Sequence, residues 1–174
     1  MQIQTLEPQT TEQAVRIILT ALTSRVHAAV YPTPSCWQAS LILCGIIRAA
    51  GMQAEVRTCS VFTGAEMVCE DHCVVETAGI ICDPTAWQFG AASYLVFEAA
   101  RNSSGFTYTN APCDPDYAEM ISSLSDVSDD DIRDGLMEQT ELDALRADCY
   151  ALAARLSRHL EKHNDYSGST LAES

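Results

Sequence analysis

Lysine is nearly missing from this chain. Lys162 stands alone beside nine arginines, against 24 acidic residues, for a formal net charge of −14. A surface so short of cations cannot neutralise a phosphate backbone, which argues against a nucleic-acid binder. It gains nothing from an anionic membrane surface either. Long apolar runs are missing too. The most apolar stretch, residues 37–50, is broken by Gln38 and Arg48 and falls short of the ~20 residues that span a bilayer. Residues 1–8 carry neither a basic segment nor an apolar one. No secretory signal is read there, and a cytoplasmic location is expected, with export by a route that uses no cleaved signal left open. Repeats and low-complexity tracts are absent. Cysteine, by contrast, is plentiful, at eight in 174 residues. With no export signal, these are expected as thiols rather than as a disulfide framework. Hydrophobic residues at 47% and charged residues at 20% are the composition of a globular chain with a core.

Periodicity supplies the elements. Thr10 or Thr11 opens a helix in which Val15, Ile18, Leu19, Leu22 and Val26 draw one apolar stripe, fading near Val30 before Pro32. A second helix is expected from Pro34, with Thr33 as N-cap and Gly51 as the residue after its end. Trp37, Leu41, Ile42, Leu43, Cys44, Ile46 and Ile47 make it apolar on nearly all sides, so it is expected at the centre of the fold, with Cys36 in its first turn. Strands are expected over residues 53–62, 71–77 and 80–83. A loop fills 64–70, Ala78-Gly79 forms a turn, and Pro84 ends the third strand. Residues 87–100 are expected as a short helix and 106–109 as one more strand. A single run of strands between helices points to an α+β fold, a mostly antiparallel sheet packed on the Cys36 helix.

Charge divides the chain. Residues 1–109 carry a net −4 and residues 110–174 a net −10. In the second part Leu142, Leu145, Cys149, Leu152, Leu156 and Leu160 form a regular amphipathic stripe. We read 1–109 as the core domain and 110–174 as an acidic helical extension, whose stripe is most simply used to dock on it, with binding of a partner protein as the alternative. The last ten residues are expected to fray.

Three residues can do chemistry together. A cysteine nucleophile works as a thiolate, and a helix N-terminus with its free N–H groups lowers the thiol pKa, which singles out Cys36. A thiol needs a base, usually histidine, and the histidine needs an orienting acceptor. His72 lies in the second expected strand and Asp83 ends the third. A two-residue turn at 77–78 sets His72 directly opposite Asp83. At Ala78-Gly79 it sets Val74 opposite Asp83, with His72 as diagonal neighbour on the same face, and Gly79 favours this second register. A three-residue loop would put the two on opposite faces. Taken singly, each has a plain explanation: a packed thiol, a structural histidine, a turn-opening aspartate.

The segment Cys36-Trp-Gln-Ala-Ser-Leu-Ile-Leu-Cys-Gly-Ile-Ile-Arg-Ala-Ala-Gly-Met-Gln-Ala-Glu-Val resembles the nucleophile helix and following strand of the transglutaminase-like cysteine hydrolase superfamily. Asp71-His72-Cys-Val-Val-Glu76 is similar to its histidine strand, and Asp83-Pro84-Thr85 to its Asp-Pro-Thr ending. The resemblance covers about residues 30–90. Ser35 replaces the glycine that often precedes the nucleophile, and Val74 an aromatic residue. The spacing of His72, Glu76 and Gly79 is also similar to that of leader peptidases and, more loosely, of bacterial glutamine deamidases. The resemblance implies a papain-like core and a catalytic triad of Cys36, His72 and Asp83. It implies a thiol amidase, peptidase, deamidase or transglutaminase acting through a thioester on a protein or peptide substrate, without metal or cofactor. The backbone N–H of Cys36 would help bind the oxyanion, and Trp37, Gln38 and Tyr31 are candidates for a second donor.

Two other classes compete. Cys69, His72, Cys73 and Cys82 offer four soft ligands for a structural zinc, although His72 and Cys73 point to opposite faces of a strand. A non-enzymatic adaptor could use the same fold with the acidic helix as a docking element. An EF-hand starting at Asp130 has Asp134, Gly135 and Glu141 in place but Ile132 at its third position. Residues 129–131 read instead as an acidic helix start.

Overall fold

The computed structural model describes residues 11–32, 35–101, 104–109 and 138–167. Helix α1 (Thr11–Val30) buries Ile18, Leu19, Leu22 and Val26 of the stripe that its spacing draws, with Val15 half-buried at one end and Val30 buried beyond the other. Helix α2 (Cys36–Ala49) buries Ala39, Ile42, Leu43, Cys44, Ile46 and Ile47. It starts at Cys36 with Ser35 as N-cap, whereas Thr33 and Pro34, the cap and first residue read from sequence, lie outside the described residues. Its end is a Schellman motif. Met52 N–H reaches Ile47 O (3.2 Å) and Gly51 N–H reaches Arg48 O (2.9 Å), with Gly51 at φ +86°, a conformation that glycine adopts without strain.

The strands are β1 (Glu55–Thr63), β2 (Glu66–Thr77), β3 (Ile80–Asp83), β4 (Leu95–Glu98) and β5 (Thr107–Thr109). They form one sheet in the order β4-β3-β2-β1-β5, with every neighbouring pair antiparallel. The fold is thus α+β, with an antiparallel five-stranded sheet and three helices among the described residues. Ala78 (φ +49°) and Gly79 (φ +75°) make the two-residue turn between β2 and β3. Two positive φ angles match the right-handed twist of the strands they join. Thr77 pairs with Ile80 and Val75 with Cys82. This is the second of the two registers open from sequence, and it brings His72 and Asp83 to one face.

Two expectations fail here. Residues 64–70 are mostly strand, not loop: Thr63 pairs with Glu66 across a tight turn, and β2 runs twelve residues. The ladder between β1 and β2 absorbs two irregularities, between Cys59 and Val61 and between Val61 and Phe62. Asp71 lies in the first of these at φ +52°, just before His72. Bulges hide a strand from an alternation count because they shift its parity. Residues 87–100 are not a helix. A 3₁₀ turn, Ala86–Phe89, stops at the left-handed Gly90, and β4 then covers the free edge of β3, pairing Phe97 with Ile81.

The sheet has two apolar faces. Val56, Val75, Ile80, Cys82 and Val96 pack with α1 and α2. Cys59, Val61, Val74, Ile81 and Phe97 pack on the other side with Phe89, Phe106 and Tyr108. Helix α3 (Gln139–Ser167) joins the first core through buried Leu142, Cys149 and Ala153, with Leu145 and Leu156 half-buried against it. The EF-hand candidate over residues 130–141 begins outside the described residues, as does Cys113. Among the described residues no helix is long and apolar enough to cross a membrane.

Candidate active site

His72 and Asp83 are both fully buried and share the face of the sheet opposite α1. His72 Nε2–H donates to Asp83 Oδ2 at 2.8 Å. Tyr108, from β5, donates its hydroxyl to the same oxygen at 2.9 Å. The other carboxylate oxygen, Oδ1, accepts the Thr85 N–H (2.9 Å) and hydroxyl (3.3 Å). Asp83 therefore opens a turn through one oxygen and partners His72 through the other. Phe89 packs edge-on against the imidazole, with ring centroids 5.1 Å apart, and Tyr108 flanks it at 6.4 Å. These rings exclude water from the His72–Asp83 bond and strengthen it. His27 on α1 donates from Nδ1 to Pro84 O (3.0 Å), tying the turn after Asp83 to the helix layer.

Cys36 heads α2, part-exposed. Ser35 makes no side-chain bond to the helix backbone, because its hydroxyl donates to Gln38 Oε1 at 2.6 Å instead. The Ser35 side chain therefore occupies none of the first-turn N–H groups of α2. One turn on, buried Ser40 donates to Cys73 O at 2.9 Å, which fastens this face of α2 to β2 beside His72. Nε2 of His72 is taken by Asp83. Its Nδ1 is buried and makes no well-formed hydrogen bond, although Cys36 and His72 lie close enough to perturb each other's ionisation.

Electrostatics separate the thiols. Hydrogen bonding from the Cys73 side chain lowers Cys36 most; burial opposes it; the imidazole's hydrogen bond and charge and the Cys73 N–H add to the lowering, and the thiol falls to about 5. For His72, burial works against the charged ring, but the Asp83 charge, the hydrogen bond to it and contact with Cys36 prevail and push it up to about 12. Both shifts favour an imidazolium facing a thiolate. Burial pushes Cys59 and Cys82 up to about 12, Cys149 up to about 11, and Cys44 upward as well. Burial first, then the Asp83 carboxylate, raises Tyr108 and keeps its phenol protonated as a donor.

The fold brings together all three residues singled out from sequence. Tyr108, Thr85 and Phe89 were not singled out. A Thr two residues after Asp was the readable signal for one, whereas Tyr108 reaches the site only through pairing of β5 with β1. Among the described residues no three His, Cys, Asp or Glu side chains converge as metal ligands. Cys82 lies in the core on the α1 side, opposite His72, so the four-ligand set read from sequence does not assemble. A groove of about 570 Å³ between α1 and α3, lined by Arg16, Arg25, Tyr94 and Leu152 among others, does not include Cys36, His72 or Asp83. No known family, characterised protein or solved structure matches the chain.

Proposed function

We propose that the chain is a cysteine-dependent hydrolase or acyltransferase acting on amide bonds, with Cys36 as nucleophile, His72 as general acid and base, and Asp83 as the group that orients His72. The observation that carries this reading is the chain of contacts from Asp83 through His72 Nε2 to an otherwise unpartnered Nδ1 beside a helix-N-terminal thiol. The order of elements, a nucleophile helix followed by an antiparallel hairpin that carries His and Asp, supports a transglutaminase-like core.

The Cys36 thiolate attacks the amide carbonyl, and the first-turn N–H groups of α2 receive the oxyanion. His72 gives its Nδ1 proton to the departing amine, the C–N bond breaks, and a thioester on Cys36 remains. Neutral at Nδ1, His72 then takes a proton from water or from an acceptor amine, which attacks the thioester and frees the thiol. Asp83 stays ionised throughout and holds Nε2–H, so the free lone pair of the neutral ring is at Nδ1. A protein or peptide is the substrate class.

The test incubates wild-type protein and Cys36→Ala with a cysteine-directed acylating probe and a panel of peptides and glutamine-bearing proteins, read by mass spectrometry. We expect a covalent adduct on Cys36 and amide cleavage, deamidation or transamidation that Cys36→Ala abolishes. Wild-type protein that neither acquires the adduct nor turns over any panel member, yet binds partners equally well as Cys36→Ala, would turn the reading toward a non-enzymatic adaptor.

A further inference from the structure

Cys73 takes neither a proton nor a covalent bond in the mechanism above, yet it lies beside the nucleophile's helix turn. Its side chain is fully buried, and its carbonyl accepts from Ser40, which stands one turn beyond Cys36 on the same face of α2. Cys73 is also the largest influence lowering the Cys36 thiol. Neighbouring residues on a strand point to opposite faces, so β2 presents His72 to one side and Cys73 to the other, and Cys36 meets both where α2 begins.

We propose that Cys36 and Cys73 form a reversible disulfide, with Cys73 as the resolving thiol of an oxidation site built onto the nucleophile. This rests on reading Cys36 as the reactive thiolate. The oxidant is a hydroperoxide. The Cys36 thiolate attacks the O–O bond; an S–O bond forms, the O–O bond breaks, and the departing oxygen takes up a proton as water or alcohol. Cys73 then attacks the sulfenic sulfur; the S–S bond forms, the S–O bond breaks, and the hydroxyl leaves as water with the Cys73 proton. The two thiols have given two electrons to the peroxide. Cys36 is part-exposed and Cys73 wholly buried, so peroxide meets Cys36 first. The low thiol pKa that serves acyl transfer also favours this oxidation. Bringing the two sulfurs to the ~2.04 Å of a disulfide asks for side-chain rotation at Cys36. The product is inactive, since the nucleophile is consumed, and a dithiol restores it. The advantage is protection, because a disulfide halts the thiol before irreversible sulfinic acid.

Full-length protein is treated with a severalfold excess of hydrogen peroxide near neutral pH, alkylated, digested and mapped by mass spectrometry, with and without later dithiothreitol. We expect a Cys36–Cys73 linked peptide, loss of Cys36 labelling, and its full return on reduction. In Cys73→Ser the peroxide should carry Cys36 on to sulfinic acid, so that recovery on reduction falls about tenfold. Wild-type Cys36 found as sulfinic acid with Cys73 unlinked, or linked to Cys69 instead, overturns the proposal while leaving the nucleophile reading intact. Other cysteines oxidised ahead of Cys36 would overturn both. The wild-type map decides the matter even if Cys73→Ser does not fold.

Discussion

Cys36 and Cys44 belong to one helix, two turns apart, and their thiols are shifted in opposite directions. Cys44 lies among the apolar side chains of the first core, where burial disfavours its thiolate. Cys36 is also largely enclosed, but it stands in the first turn of α2, where Cys73 and the His72 imidazole, itself held by Asp83, favour its thiolate. Burial therefore does not decide ionisation by itself; the groups that replace the lost water do.

The largest expected effect breaks this comparison at its source. His72→Ala should cut turnover by about 10²–10⁴-fold, because the acid for the leaving amine and the thiolate's counter-charge vanish together. Asp83→Asn keeps the shape and should do nearly as much harm with little loss of stability. The double mutant should be about as slow as His72→Ala, since the two act as a unit. The rate of amide cleavage or deamidation measures all three, and a Asp83→Asn enzyme at wild-type speed would reduce Asp83 to a turn residue.

Next is the contrast between the thiols themselves. At about pH 6 a thiol with its pKa near 5 is mostly thiolate, whereas a raised one is almost wholly protonated, so Cys36 should alkylate at least about a hundredfold faster than Cys44. Thiolate is lost as pH falls through the pKa, so the Cys36 rate should be flat above about 6 and fall through about 5. In His72→Ala the fall should move up toward the ordinary thiol value of about 8.5. Labelling with iodoacetamide across pH, resolved by peptide mass, reads this out; an unmoved profile in both His72→Ala and Asp83→Asn would sink the triad.

A third experiment separates the site from its scaffold. Leu142→Ala on α3 opens a cavity in the first core and should cost about 2–5 kcal/mol in denaturant unfolding while leaving the Cys36 to Cys44 labelling ratio unchanged. No loss of stability would mean that α3 is free to serve a partner. The smallest effect is expected from Tyr108→Phe, which removes one donor to Asp83 Oδ2 and should cost about 1.5–3 kcal/mol or less, with His72 still paired.

Much of this was readable from local pattern. The stripes of α1 and α3, the buried α2 ending at Gly51, and the turn at Ala78-Gly79 all follow from spacing and from where glycine must stand. Those features depend on neighbours within a few residues. The bulged start of β2 and the strand at Leu95–Glu98 were not readable, because a bulge resets alternation and an edge strand exists only once β3 offers it an edge.

The same division runs through the site. By itself the sequence determined that a thiol would stand near a helix start, that His72 and Asp83 would share a face in either two-residue register, and that Asp83 would open a turn. Each follows from a period of two, from the chemistry of a helix end, or from a short-range hydrogen bond. Only the tertiary structure decided that Tyr108 would complete the shell of Asp83, that Phe89 would seal His72, and that Cys73 would touch Cys36. These meetings join segments tens of residues apart, and no local preference encodes them; they arise when the sheet orders its strands and α2 settles on β2.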